Sequence, residues 1–373
     1  MVIENVQILM SDGVFRSGCV EFDNKIRKIE IYETANGNAG PYLIPGLIDI
    51  HTHGALGYDY GDGSVDDIRE LAAYQAKNGI TSFLATTLTA SAEHLTHAMR
   101  NIANYEHPPN SAKMLGINME GPFFSNEKRG AHRPDLLMLP DIDFFKKLFN
   151  ISKERIKLVC VSPELDGAME FISEASKLCR VSLAHSAAGY KVAMQAFNNG
   201  ATHVTHLFNG MNSFLHREPG IIGAALDANA FVEIISDGFH IHPAVVRASF
   251  RMAPHRVCLI SDSVRCAGMP DGEYESAGFT VVVKNGEVLV KDTGSIAGSS
   301  ISLMHGVRRV VSMGIPLATA VTAATKHCAQ AIGMETRIGS LVPGACADLV
   351  LLDSELHVKN VFIDGEEILL SEK

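Results

Sequence analysis

Residues 47–53 read LIDIHTH. The run follows the turn signal Pro45-Gly46, is apolar at Leu47, Ile48 and Ile50, and ends in two histidines one residue apart. A short apolar run behind a turn is the texture of a strand buried on both faces. Seven further stretches resemble it: TSFLATT (81–87), KMLGINME (113–120), IKLVCVS (156–162), VSLAHS (181–186), THVTHL (202–207), FVEIISD (231–237) and VCLISDS (257–263). Helical patterns lie between several of them. Val65–Asn78 sets Ile68, Leu71, Ala72 and Gln75 at helical spacing with Gly79 as the stop, and Tyr190–Asn199 is ended by Gly200. Short buried strands alternating with helices predict an α/β fold, a parallel (β/α)8 TIM-like barrel.

Outward from the barrel, the two ends share a different texture. Residues 1–42 alternate apolar and polar, as in VIENVQIL and GCVEFDNKIRKIEIY, and the tail repeats this in ADLVLLD and VKNVFIDGEEI. Period two denotes half-buried antiparallel strands. The expectation is a small β-sandwich domain built from 1–45 and 344–373, with the barrel over 46–343. Residues 273–292 predict a β-hairpin insertion turning at Asn285-Gly286. The Phe123–Pro140 stretch is rich in Pro, Arg and His, and loops of that length in a compact domain are usually functional.

Composition narrows the class. A chain of 373 residues suits a barrel plus a small accessory domain. Its 46% hydrophobic and 20% charged residues are ordinary for globular proteins. A formal net charge of -10 argues against a nucleic-acid or anionic-membrane surface, though not against an anionic small molecule. No apolar run approaches the roughly 18 residues of a membrane span. The start, MVIENVQILMSDG, lacks the basic-then-apolar pattern of a secretory signal. Seven cysteines without a C-x-x-C pair read as reduced thiols, so a cytoplasmic location is expected.

The ends of the predicted strands carry the chemistry: His51 and His53, Glu120, His185, His206, Asp237 and Asp262. In such barrels the active site is built at the C-terminal ends of the strands. Alternate side chains of a strand share a face, so His51 and His53 can converge. Imidazole with carboxylate suits Zn or Fe, which implies a site for one or two divalent metal ions. Glu120 could ligate one ion or bridge two. Asp262 could ligate and also take a proton from a water acidified by a cation. Each residue has a plainer reading: H-x-H arises by chance, a buried histidine can simply be hydrogen-bonded, and Glu120 before Gly121-Pro122 can be a turn residue. Their agreement across strand ends outweighs those readings.

The ordered set PGLIDIHTHG, NMEGPFFSNEKRGAHRP, LAHS, THVTHLFNGMNSFLHREPG, SDGFHIHP, LISDS and SIAGSS resembles the N-acetylglucosamine-6-phosphate deacetylases of the amidohydrolase superfamily. The likeness runs from Leu43 to Asp353. H-x-H and the tail LVPGACADLVLLD mark only the superfamily, whereas MEGPF followed by GAH, with THLFNGM, is specific to the deacetylases. The resemblance implies hydrolysis of a phosphorylated N-acetyl amino sugar. It implies that Glu120, His185 and His206 hold the principal metal, His51 and His53 a second one, and that Asp262 is the acid/base. His132, beside Ala131, would stabilise the oxyanion near the acetyl carbonyl. Asn209 and Gly210 would meet the phosphate, with Arg217 and His240 as its cationic partners. Ile296, Ala297 and Gly298 would line the sugar pocket. A homodimer is implied, with Arg217 or His240 reaching the neighbouring site.

Several residues keep other readings. Asp237 can bond a neighbour, His242 can open the following helix, and Gly298-Ser299-Ser300 can be a helix start with a serine cap. Glu164 reads as structural, without a role. No lysine ends the third or fourth strand to serve as a carboxylated bridge, which favours Glu120 in that place over dihydroorotase-like or urease-like sites. The competing activities are an N-acetylgalactosamine-6-phosphate deacetylase and an adenine-type deaminase. A non-enzymatic assembly protein on the same barrel is the alternative of another class.

Overall fold

The computed structural model describes residues 1–32 and 40–370; the parts of the expected end region at 33–39 and 371–373 lie outside the described residues. The chain opens with β1 (Val2–Leu9), β2 (Phe15–Phe22), β3 (Ile26–Ile31) and β4 (Tyr42–Pro45). β5 (Leu47–Thr52) follows directly, then a small ribbon of β6 (Gly54–Ala55) and β7 (Tyr58–Asp59). Next come β8 (Ile80–Thr87), β9 (Lys113–Met119), β10 (Ile156–Val161), β11 (Arg180–Leu183), β12 (His203–Val204), β13 (Phe231–Ile235) and β14 (Val257–Ile260).

These last seven and β5 form one parallel eight-stranded sheet in chain order. Its two edges meet: Thr52 pairs with Ser263 through a parallel bridge, and Asp262 N–H donates to His51 O at 3.0 Å. The predicted (β/α)8 barrel is therefore present, and strand-to-strand pairing continues across the join. Neighbouring strand residues face different cores. Phe83, Val159, Ile234 and Leu259 pack with Ile68, Leu71, Leu95 and Phe171 of the helices. Leu84, Leu158, Ile235 and Ile260 join Ile48, Ile50 and Cys328 in a separate cluster. Apolar demand on both faces is why the strands read as continuous runs.

The helix Val65–Lys77 matches its predicted span to one residue and starts with a capping box, in which Ser64 accepts from Asp67 N–H and the Asp67 carboxylate accepts from Ser64 N–H. Tyr190–Asn198 likewise forms, with Asn199 at its C-cap. Among the described residues no helix is long and apolar enough to cross a membrane.

After the barrel come β15 (Gly272–Ser276), β16 (Phe279–Lys284) and β17 (Glu287–Val290). Asn285 and Gly286, at φ 52° and 84°, make the expected turn. The segment is nonetheless a three-stranded meander and not a two-stranded hairpin, because Ala277 and Gly278 make a second turn with φ 52° and 80°. An alanine in the left-handed region is a weak turn signal, which is why the first strand escaped the reading. The helix after Ser300 begins at Leu303 and is capped by Ser302, so Gly298-Ser299-Ser300 is not its start.

Both chain ends meet in a seven-stranded sheet ordered β20-β19-β18-β4-β1-β2-β3, where β18 is Leu349–Leu352, β19 Val358–Ile363 and β20 Glu366–Glu367. Its neighbours are antiparallel as expected, except that β4 runs parallel to β1; β4 leads straight into β5, so its direction follows the barrel. Three strands separate β2 from β19, a span of roughly 19 Å on a flat sheet. Yet the Phe22 and Phe362 ring centroids are 5.3 Å apart. The sheet therefore folds over on itself around Val6, Ile8, Val20, Phe22, Leu43 and Leu349, which gives the predicted sandwich its single core.

Candidate active site

All the donor side chains but that of His51 sit just beyond the strands, and at three of them the backbone turns sharply. His185, His206 and Asp262 have φ of 45°, 28° and 49°. These are left-handed values that cost a non-glycine residue about 1–3 kcal/mol and cluster at functional sites. His51 lies in β5 and His53 just after it, and Glu120 directly follows β9. All six side chains are buried.

Their polar atoms fall into two groups that share Glu120. In the first, Glu120 Oε1 lies 3.3 Å from His185 Nε2 and 3.0 Å from His206 Nε2, and the two histidines are 3.1 Å apart. In the second, His51 Nε2 and His53 Nε2 are 3.3 Å apart. Glu120 Oε2 is 3.5 and 3.2 Å from them, and Asp262 Oδ1 is 3.4 and 3.2 Å from them. Donors bonded to one cation at about 2.0–2.1 Å stand about 3.3 Å from each other. Both groups have that spacing.

The electrostatics agree. Burial opposes charge on His51 and His53, but Glu120 and Asp262 overcome it: His51 is raised well above the usual imidazole value and His53 is raised to about 9. Burial alone would raise Glu120, yet the surrounding imidazoles hold it well below the carboxylate range. The pocket therefore favours positive charge at its centre. His132 is the contrast: burial and the neighbouring His185 push it well down, so it is neutral. Its Nε2 lies 3.2 Å from His185 Nε2 and 3.9 Å from Glu120 Oε2, at the edge of the first group.

These residues open onto a cavity of about 190 Å³, room for one small molecule. Ala131, His132, Asn209, Gly210, His240, Ile296, Ala297 and Gly298 line it together with His53, Glu120, His185, His206 and Asp262. The meander contributes Ser276, Ala277, Phe279, Val281 and Val290 to its wall. Arg217 is not brought there: it stands in the exposed stretch 213–218, outside the lining. Gly210 needs its missing side chain, since φ is 62° and a Cβ would come within 2.8 Å of His185 Nδ1.

Residues 42–368 match the amidohydrolase family. The chain belongs to the amidohydrolase family. This amidohydrolase is 38% identical over 328 residues to an N-acetylgalactosamine-6-phosphate deacetylase of Escherichia coli O157:H7, covering 87% of each chain. It is 34% identical over 374 residues to an N-acetylglucosamine-6-phosphate deacetylase of Bacillus subtilis, covering 96% of this chain and 94% of that one. Among solved structures it resembles the N-acetyl-D-glucosamine-6-phosphate deacetylase of Mycobacterium smegmatis, with a TM-score of 0.91 and 30% identity over 99% of this chain and 100% of that one. The family is metal-dependent, and this amidohydrolase has two sets of donors able to hold a metal, His51–His53–Glu120 and Glu120–His185–His206.

Other residues hold the site in place. Asp237 accepts from His240 Nδ1 at 2.7 Å and from the backbone N–H of Phe239 and His240, so it orients His240, in line with its neighbour-bonding reading. His242 caps the helix Pro243–Met252 through its ring nitrogen. Glu164, without a role in the sequence, accepts from Ser186 Oγ at 2.5 Å and Ala187 N–H at 2.6 Å, clamping the chain just after His185. Sequence reasoning missed Glu233. It is fully buried in β13, 2.9 Å from His51 Nδ1 and 3.0 Å from His203 Nε2, and its carboxyl is lowered to about 2: burial opposes the charge, and His51 and His203 outweigh it. A glutamate in the otherwise apolar run FVEII was the available signal, because a buried charge requires partners.

Proposed function

We propose that this amidohydrolase hydrolyses N-acetyl-D-glucosamine 6-phosphate to D-glucosamine 6-phosphate and acetate, in cytoplasmic amino-sugar catabolism. The observation that carries the reading is Glu120: its two oxygens belong to two donor groups, on a cavity that His132, Asn209 and His240 also line. Relatives that span most of the chain carry deacetylase names.

In this reading Glu120, His185 and His206 would hold the principal ion, and His51, His53 and Asp262, with Glu120, would hold a second; Zn and Fe both suit these donors. A bound divalent ion would polarise the amide carbonyl and make water a nucleophile near neutral pH. Asp262, ionised and lowered in pKa by His51 and His53 against its burial, accepts the proton of the attacking water and returns it to the departing nitrogen. His132, neutral and buried, donates to the carbonyl oxygen as charge builds there. Asn209, the Gly210 backbone and His240 bind the phosphate. Ala131, Ile296, Ala297 and Gly298 shape the sugar pocket. We further take the chain to act as a homodimer in which Arg217 serves the neighbouring site; its exposure outside its own cavity supports this. The domain division at 45/46 and 343/344 belongs to the same proposal.

A second reading is favoured by one observation: the relative at 38% identity is named for the galactosamine epimer. Acetate release from both phosphorylated epimers by metal-repleted protein, with elemental analysis of the same sample, tests both. Faster turnover of the gluco epimer is expected. Preference for the galacto epimer replaces the first reading by the second, and ammonia from adenine without acetate would overturn both.

A further inference from the structure

Glu233 lies within β13, two strands from β5 around the closed barrel, and is fully buried. Its Oε2 accepts from His51 Nδ1 at 2.9 Å and from the backbone N–H of His206 at 3.2 Å, while Oε1 accepts from His203 Nε2 at 3.0 Å. An ionised carboxylate has no proton to donate, so the imidazole proton of His51 must sit on Nδ1. Nε2 is then the nitrogen left to ligate a cation in place of a proton, facing His53 Nε2, Asp262 Oδ1 and Glu120 Oε2 at 3.3–3.5 Å.

The other three histidines of the site are held differently. His185 Nδ1 is 2.9 Å from Lys128 O, and His206 Nδ1 is 3.2 Å from Asn209 O. His53 Nδ1 has no hydrogen-bond partner among the described residues. Of these four rings, only His51 has its Nδ1 hydrogen-bonded to a carboxylate among the described residues. A carboxylate behind a ligating imidazole fixes the ring and raises its basicity, and removing such a partner typically weakens metal binding about 10- to 100-fold.

We propose that Glu233 is the positioning residue of the second cation site: it sets the tautomer of His51 and aims Nε2 at the donors around it. This rests on the two-cation reading above. It makes the H-x-H pair an anchored site, tied through the His206 backbone to the first donor group.

The test compares wild type with Glu233→Gln, which keeps the shape and removes the charge. Both are repleted with Zn(II), titrated with a chelator, and followed by zinc content per subunit; ¹⁵N-histidine NMR reports the tautomer. Wild type is expected to keep two ions, with His51 protonated on Nδ1. Glu233→Gln is expected to keep the first ion at unchanged affinity and to bind the second about 10- to 100-fold more weakly. Wild-type affinity for both ions in Glu233→Gln, or His51 without a proton on Nδ1 in the wild type, would overturn the proposal. If the variant does not fold, the wild-type tautomer decides. If wild type binds a single ion, the two-cation reading fails, while the His51 tautomer in the same sample still decides whether Glu233 positions that ring.

Discussion

Asp262 Oδ1 stands 3.2 Å from His53 Nε2, so the proposed acid/base belongs to the donor group of the H-x-H pair and not to that of His185 and His206. One residue thus has two tasks. Asp262→Asn keeps the shape but loses the charge and the proton acceptor. Acetate release should fall roughly 100- to 10,000-fold. The fold and the ion of Glu120, His185 and His206 should remain, and the second ion should bind more weakly. Circular dichroism, zinc content and an acetate assay check the three parts; normal turnover would remove Asp262 from its role.

His240 is held by Asp237 with its ring at the cavity wall. A phosphate bound there interacts about equally in the ground and transition states, so its loss falls on KM. His240→Asn should raise KM for the phosphorylated sugar roughly tenfold and leave kcat nearly unchanged. Turnover of the unphosphorylated sugar should not move. An unchanged KM would place the phosphate elsewhere.

Away from the site, Lys113 at the start of β9 joins the barrel to the end sheet. Its Nζ is 2.7 Å from Asp348 and 2.9 Å from Asp364. Burial lifts the Asp348 carboxyl despite Lys113, so the intact pair contributes little net stability. Removing Lys113 is another matter, because the buried Asp348 carboxylate loses its cation and keeps only the backbone N–H of Asp364, at 3.0 Å. Lys113→Met should destabilise the chain by roughly 3 kcal/mol. Thermal denaturation would show the loss, with activity per folded molecule retained.

His327 is buried, with Nδ1 donating to Val257 O at 2.9 Å. Burial lowers it to about 4, against the ordinary value of 6.5, and the nearby His255 and Lys326 add to the effect. Its folded pKa is depressed, so between about 4 and 6.5 the unfolded chain binds the extra proton. Stability should rise with pH through that window and be lost as pH falls through it, by roughly 3 kcal/mol for this group. The difference in Tm between wild type and His327→Gln, followed from pH 7 to 4, should shrink as the variant escapes this penalty. Parallel curves would contradict it.

Much of the architecture was legible because its signals are local. Continuous apolar runs such as FVEII and VCLI must be covered on both faces, and glycines after helical patterns mark their ends. Period two in VIENVQIL and its counterpart in the tail placed both ends in one sheet. The donors were visible for a related reason: a histidine or carboxylate at the end of a buried strand departs sharply from its neighbours. What misled was equally local. Ala277-Gly278 turns the chain without a typical turn pair, and Ser302, not Ser299 or Ser300, caps the following helix.

By itself, the sequence determined the barrel, the sheet shared by its ends and the chemical kind of each donor, since all follow from burial period and residue type along short stretches. Only the tertiary structure decided how the donors divide: Glu120 shared between two groups, Asp262 with His51 and His53, Arg217 outside its own cavity, and Glu233 behind His51. That contact joins residues 182 positions apart. No local pattern encodes it, because it exists only once the sheet has closed and the strands β5 and β13 have taken their places in one barrel.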